Sequence, residues 1–277
     1  FYLETRWNTV VVNRTEIDVF ENIEEFQLYL DIYYVDFHII DSKDEPLSGS
    51  TLYVHKNGNG RILESGITDG NGDLTLRLPG TIVEMTVFWD EVQVYYESGY
   101  MVNANTEKEI ETRVYYIQVH TVDKTQASVA DSRIYLITNN TSIKYRDITD
   151  SEGIATFRLP AQSYDMEVYW KNVMVHEDSF TIDQDTEITS VLNIYQVTYV
   201  AVDSRSNPVF SAQVVIFNNQ TGEIINTGIT SLDGSKTMRV PGISVDIFAY
   251  TRGIGIYEEY DSLVSENINK TLECDIF

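Results

Sequence analysis

Apolar and polar residues alternate along this chain over short stretches that are broken by turn-forming residues. In TDGNGDLTLRLPG (68–80), Leu74, Leu76 and Leu78 fall on one side of an extended segment, and Thr75 and Arg77 on the other. A period of two, punctuated by Gly, Asn and Asp, predicts antiparallel strands joined by tight turns. No stretch of useful length carries the apolar period of an amphipathic helix.

The same stretch occurs three times, as GITDGNGDLTLRLPG from Gly66, DITDSEGIATFRLPA from Asp147 and GITSLDGSKTMRVPG from Gly228. Pro79, Pro160 and Pro241 are spaced by 81 residues, as are Gly72, Gly153 and Gly234, and Arg77, Arg158 and Arg239. Phe157 and Leu159 take the apolar side in the second copy, Met238 and Val240 in the third. Upstream, YYVDFHIIDSKDEPLSGSTLYV (33–54) answers to segments 115–136 and 195–216, and Asp41, Asp123 and Asp203 each close a first strand. Downstream, MTVFWDEV (85–92) matches MEVYWKNV (166–173), while IFAYTRGI (247–254) lacks the tryptophan.

About seven strands in roughly 80 residues predict an all-β protein of tandem seven-stranded sandwiches, immunoglobulin-like or transthyretin-like. The repeats are read as 32–113, 114–193 and 194–277. Residues 1–31 are read as the closing strands of a preceding repeat, or as a strand-donating segment, because RWNTVVVNRTEIDVF (6–20) resembles YWKNVMVHEDSFTID (169–183). The expectation is a piece of a longer array. KEIETRVYYIQVHTVD (108–123) contains no Gly/Ser or Pro linker, which predicts strands running directly from repeat to repeat and an elongated rod.

The order VD…PLSGSTLYV…GITDGNGDLTLRLPG…MTVFW resembles the carboxypeptidase regulatory-like, or transthyretin-like, repeat, and related repeats of bacterial and archaeal surface proteins. The likeness covers nearly the whole chain and concerns the fold and its turns, without catalytic residues. It implies a stalk, surface-layer component, adhesin, filament subunit or accessory region of a secreted enzyme. Collagen-adhesin B-type relatives form Lys–Asn crosslinks from a lysine two residues before the first-strand aspartate. Ile39, Thr121 and Ala201 stand there, so that crosslink is not expected.

Charge narrows the partners. The chain has 19 Lys plus Arg against 43 Asp plus Glu, a formal net charge of −24. Such a surface repels nucleic acid and anionic membranes, so neither is expected as a partner. No apolar run approaches the ~18 residues of a membrane span, and no secretory signal is visible at the start. The single cysteine, Cys274, excludes an internal disulfide framework and reads as a small buried hydrophobe.

Asp69, Asn71 and Asp73 alternate as the early ligands of a calcium loop do, so calcium is the one cofactor considered. However, Leu74 and Gly80 stand where an EF-hand needs Gly and Glu. The sister loops keep only a short polar residue (Asp69, Asp150, Ser231) and a glycine three positions on, which is what an Asx- or Ser-turn needs. Acidic clusters at Asp18/Glu21/Glu24/Glu25, Glu107/Glu109/Glu111, Asp183/Asp185/Glu187 and Glu258/Glu259/Asp261 read as solvated faces or as cation sites near repeat ends. His38 and His120 share a register and Val200 replaces them in the third copy, which argues against a repeat-wide zinc site.

Trp7, Trp89 and Trp170 hold equivalent positions suited to a core or a repeat interface. Sequons at Asn13, Asn139, Asn140, Asn219 and Asn269 are candidate glycosylation sites, with Asn139/Asn140 and Asn219 on corresponding hairpin tips. No catalytic set or nucleotide-binding motif is present in the sequence. The expectation is a non-enzymatic extracellular structural protein whose partners are copies of itself or other surface proteins, through strand addition by 1–31. The alternatives are a calcium-dependent adhesin, a carbohydrate-binding module or an accessory region of a secreted enzyme.

Overall fold

The computed structural model describes residues 1–18, 25–58, 60–138 and 144–276, and those residues contain strands and turns with no helix. A hairpin comes first, β1 (Tyr2–Trp7) and β2 (Val10–Glu16). The first repeat contributes β3 (Ile32–Ile40), β4 (Thr51–Lys56), β5 (Ile62–Ile67), β6 (Asp73–Pro79), β7 (Ile82–Trp89), β8 (Val92–Met101) and β9 (Thr106–Glu111). The second adds β10 (Val114–Val122), β11 (Arg133–Thr138), β12 (Lys144–Ile148), β13 (Ile154–Pro160), β14 (Ser163–Trp170), β15 (Val173–Thr181) and β16 (Thr186–Val191). The third adds β17 (Ile194–Val202), β18 (Gln213–Asn218), β19 (Ile224–Ile229), β20 (Ser235–Pro241), β21 (Ser244–Thr251), β22 (Ile254–Leu263) and β23 (Ile268–Glu273).

Each repeat makes one three-stranded and one four-stranded sheet: β6-β3-β9 with β5-β4-β7-β8, then β13-β10-β16 with β12-β11-β14-β15, then β20-β17-β23 with β19-β18-β21-β22. In the first and third repeats the first strand pairs antiparallel with the fourth and parallel with the seventh. Lettered A to G, the sheets are D-A-G and C-B-E-F, which differs from the ABED and CFG sheets of an immunoglobulin constant domain. Compact packing divides the chain into Phe1–Ile117 with Arg158–Gln162 and Thr181–Thr186, and Gln118–Phe157 with Ser163–Phe180 and Glu187–Phe277.

Alternation places the core as the sequence pattern requires. Val35, Phe37 and Ile39 of β3 are buried against Leu52, Val54, Leu76, Leu78, Met85 and Val87, while their neighbours Tyr34, Asp36 and His38 face outward. The hairpins β1–β2, β7–β8, β14–β15 and β21–β22 each turn on two residues with positive φ, for example Asp90 (46°) and Glu91 (65°), so the reversal follows the twist of the strands.

Candidate functional site

The chemistry that recurs from repeat to repeat lies at two loops and at the junctions. The GITDGNG loop is a turn. Asp69 Oδ1 accepts the backbone N–H of Asn71 at 2.8 Å and of Asp73 at 3.0 Å, and Asp150 Oδ1 accepts those of Glu152 and Ile154 at 2.9 and 3.0 Å. In the third loop Asp233 takes part of this role, accepting the N–H of Ser235 at 3.0 Å, and Ser231 Oγ donates to the Ser235 carbonyl at 2.9 Å. The Ser231 and Ser235 hydrogen bonds hold the Asp233 carboxyl down at about 2.

Glycine is required in this loop for two reasons. Gly72, Gly153 and Gly234 have φ of +76°, +78° and +72°, and a Cβ there would lie 2.4, 2.7 and 2.5 Å from the carbonyl oxygens of Ile39, Thr121 and Ala201. Just before the turn, buried Thr68, Thr149 and Thr230 donate to the carbonyls of Leu47, Val129 and Val209 and accept the N–H of Ser50, Ser132 and Ala212. These threonines lie inside the repeated motif, where the sequence alone gives them no role. As for the calcium ligands considered above, Asp73 Oδ1 pairs with His38 Nδ1 at 2.7 Å while Asp69 Oδ1 serves the turn. Among the described residues no group of three or more His, Cys, Asp or Glu is arranged to hold a metal ion.

The first-strand aspartates and the Arg-x-Pro arginines, 35 or 36 residues apart within a repeat, meet across the two junctions as Asp41–Arg158 and Asp123–Arg239. Asp41 is completely buried; its Oδ1 accepts the N–H groups of Lys43 (2.8 Å) and Glu45 (3.1 Å), and its Oδ2 lies 2.7 Å from Arg158 Nη2. The same Nη2 donates to the carbonyl of Pro46 at 2.9 Å. Arg158 stands over the rings of Trp89 (5.8 Å) and Tyr116 (5.9 Å). Burial, together with the hydrogen bond between Tyr116 and Asp41, raises the Tyr116 phenol above its usual range.

Asp123 repeats the arrangement and is also completely buried. Its Oδ1 accepts Thr125 N–H (2.8 Å) and Ala127 N–H (3.2 Å), and its Oδ2 accepts Arg239 Nε–H at 2.9 Å and Gln196 Nε2–H at 3.3 Å. Burial by itself would raise this carboxyl, but the hydrogen bonds from Thr125, Gln196 and Ala127 outweigh it and hold Asp123 below the usual carboxylate range. An ion pair with one wholly buried partner is the kind of contact whose loss is expensive, unlike an exposed pair.

Backbone bonds run through the same places. Ser42 N–H donates to Val114 O at 3.1 Å, and Lys124 N–H to Ile194 O at 3.0 Å. Asp185, read above as part of an acidic cluster, accepts Tyr116 N–H at 2.8 Å and the Ser42 hydroxyl at 2.7 Å, so it serves the first junction. The hairpin β1–β2 docks on the first repeat in the manner of β7–β8 on the second: Asn8 Nδ2 donates to Leu63 O at 2.7 Å, Val10 joins the core and Arg77 stands 5.0 Å from the Trp7 ring. Trp7 and Trp89 are half-buried and Trp170 is buried, as expected for interface and core residues.

Of the sequons, Asn219 and Asn269 are exposed, and Asn219 Nδ2 donates to Asp246 at 2.7 Å. Asn13 is half-buried and donates to the Tyr29 carbonyl at 2.7 Å. Asn139 and Asn140 lie outside the described residues, as do Glu21 and Glu24 of the first acidic cluster. Cys274 is buried, and burial raises its thiol above the usual range. No helix among the described residues is long and apolar enough to cross a membrane.

No family model matches the chain, and no curated protein does. Among solved structures it is similar to the Bacillus anthracis TIE protein, at 17% identity and a TM-score of 0.28 over 88% of this chain and 51% of that one. It is also similar to a Streptococcal ancillary pilin, at 9% identity and a TM-score of 0.33 over 88% and 99% of the two chains. BcpA, the major pilin subunit of Bacillus cereus, is a third, at 10% identity and a TM-score of 0.24 over 88% and 99%. The chain spans about half the length of the TIE protein.

Proposed function

We propose that this chain is a non-enzymatic structural protein of the cell surface, in which aspartate–arginine latches join successive β-sandwich repeats. The observation that carries this reading is that residues common to all three repeats, Asp41/Asp123 and Arg158/Arg239, are spent on the junctions between repeats. A surface stalk, a surface-layer component and a filament subunit all need such junctions. Exposed Asn219 and Asn269 are proposed glycan attachment points. Small-angle scattering of the full chain tests the mechanical part. The wild type should fit one arrangement at each junction, and the variant Asp41→Ala/Asp123→Ala should require an ensemble. A wild type that already needs an ensemble overturns the reading, and labelling of intact cells with an antibody tests the location.

Self-association by strand addition through residues 1–31 is a further part of the proposal. Among the described residues β1 pairs with β2 alone, whereas its counterpart β7 pairs with both β8 and β4. Calcium at Asp69, Asn71 and Asp73 is a separate proposal, to be tested by whether calcium raises the unfolding midpoint of the wild type and leaves that of Asp73→Asn unchanged.

One observation favours carbohydrate recognition as a second reading. On the outer face of the third repeat Phe248 and Tyr250 lie within 19° of parallel, and Phe248 also meets Phe217 and Tyr260 edge-on. Binding on a glycan array that is lost in Tyr250→Ala would support it.

A further inference from the structure

The third copy of the latch loop is built like the other two and holds its carboxylate differently. Asp203 Oδ1 accepts the N–H groups of Arg205 and Asn207, both at 2.8 Å, just as Asp41 and Asp123 accept those two and four residues on. The reversal of chain direction is the same in each loop, with positive φ at Asp44 (60°), Gln126 (67°) and Ser206 (64°). The backbone N–H of Asp41, Asp123 and Asp203 donates to the carbonyls of Glu45, Ala127 and Asn207 at 3.0, 2.9 and 2.9 Å. What differs is Oδ2. In the first two loops it meets an arginine of the following repeat; in the third it accepts the loop's own Asn207 Nδ2–H at 3.0 Å. Asp203 is correspondingly half-buried where its counterparts are completely buried, and Phe210, seven residues on, is 58% exposed.

We propose that the Asp203 loop is a docking face for a further sandwich module of this same repeat, one that presents an arginine two residues before a strand-ending proline. This assignment presupposes the structural reading above and extends two occupied instances of the same site in this molecule. Charge complementarity selects the partner: a carboxylate already fixed by two backbone N–H groups has its second oxygen turned to receive a guanidinium, as at Asp41 and Asp123. Asn207 occupies that oxygen with a neutral amide, a weaker donor than a guanidinium, and yields it when the arginine arrives. Used repeatedly, a contact between unlike faces extends an array without closing it.

The test extends the full chain by residues 196–277 of its own sequence placed after Phe277, since Ile276-Phe277 corresponds to Ile194-Tyr195. Asp203→Ala is then compared in the original and the extended protein. In the original it costs only the loop's own hydrogen bonds; in the extended protein it should lower the midpoint of the added module by roughly 3–6 °C beyond that. Replacing the added copy of Arg239 by Ala should do the same, and the two changes together should cost no more than either alone. Asn207→Ala, which frees Oδ2, should raise the midpoint of the added module only. Equal shifts in both proteins, or additive effects, overturn the proposal. So does concentration-dependent association of the original chain that disappears in Arg77→Ala, because that assigns the face to a second copy's Arg77. The scattering test above concerns the two existing junctions, so either inference can fail without the other.

Discussion

Arg158 of the second repeat lies 2.7 Å from Oδ2 of Asp41 in the first, and the carboxylate it meets has no exposure to solvent. The two residues are separated by 117 positions in the chain, and Asp123 and Arg239 reproduce the pair one repeat later. Removing Arg158 leaves a buried charge that keeps its turn hydrogen bonds and loses its counterion. Because the arginine side chain is 29% exposed, the cost should fall between that of a surface pair and that of a buried one, about 2–3 kcal/mol. Arg158→Ala and Asp41→Ala should each lower stability by that amount, and a double-mutant cycle measured by denaturant unfolding should show coupling above about 1 kcal/mol. Additive effects would mean that the two residues act separately.

Acid should loosen the second junction. The folded-state value of Asp123 is depressed, so its contribution is fully present above the unfolded carboxylate value near 4 and is lost as pH falls through the lower folded value. Glu97 and Glu259 shift the same way: burial raises each, and the hydrogen bonds from a tyrosine and a lysine outweigh it. The unfolding midpoint should therefore be flat from about pH 5 to 8 and fall below about pH 4. Asp123→Ala should make that fall shallower. At the alkaline end, burial and a neighbouring carboxylate raise the Tyr95 and Tyr257 phenols. Stability should accordingly decline above about pH 10, where the unfolded tyrosines ionise and the folded ones do not.

Gly153→Ala should be destabilising out of proportion to one methyl group. The residue is left-handed, and the new Cβ would stand 2.7 Å from a carbonyl oxygen that belongs to the neighbouring strand. A loss of about 2–3 kcal/mol is expected, measured by chemical denaturation, against a few tenths for Ala at exposed Gly70, which has neither constraint.

A clasp joins the two sheets at their open edges in the first and third repeats. Lys108 of β9 lies 2.9 Å from Glu97 of β8, which also accepts the Tyr95 hydroxyl at 2.5 Å. Lys270, Glu259 and Tyr257 repeat it. Lys108→Met should cost about 1 kcal/mol and speed amide exchange in β9 relative to β16. The second repeat carries His176, Asp178 and Ile188 at the corresponding positions, so Ile188→Met should leave exchange there unchanged.

Much of this protein was legible in one dimension because its determinants are local. Alternation at Leu74, Leu76 and Leu78 requires a strand with one buried face, and a short polar residue followed three positions later by Gly72 requires a turn. Repetition every 81 residues then multiplies a single sandwich into an array. The roles of the constant aspartate and arginine were not legible. Their recurrence in every repeat was visible, but Asp41 and Asp123 find their partners in the following repeat, and Arg158 and Arg239 find theirs in the preceding one. Alternation likewise marks a face as buried or exposed without saying what covers it, so Arg77, Arg158 and Arg239 all read as solvent-facing. Folding decided otherwise for Arg158 and Arg239, because a carboxylate taken out of water needs compensation and the guanidinium brought nearest to it by the junction is the one that supplies it.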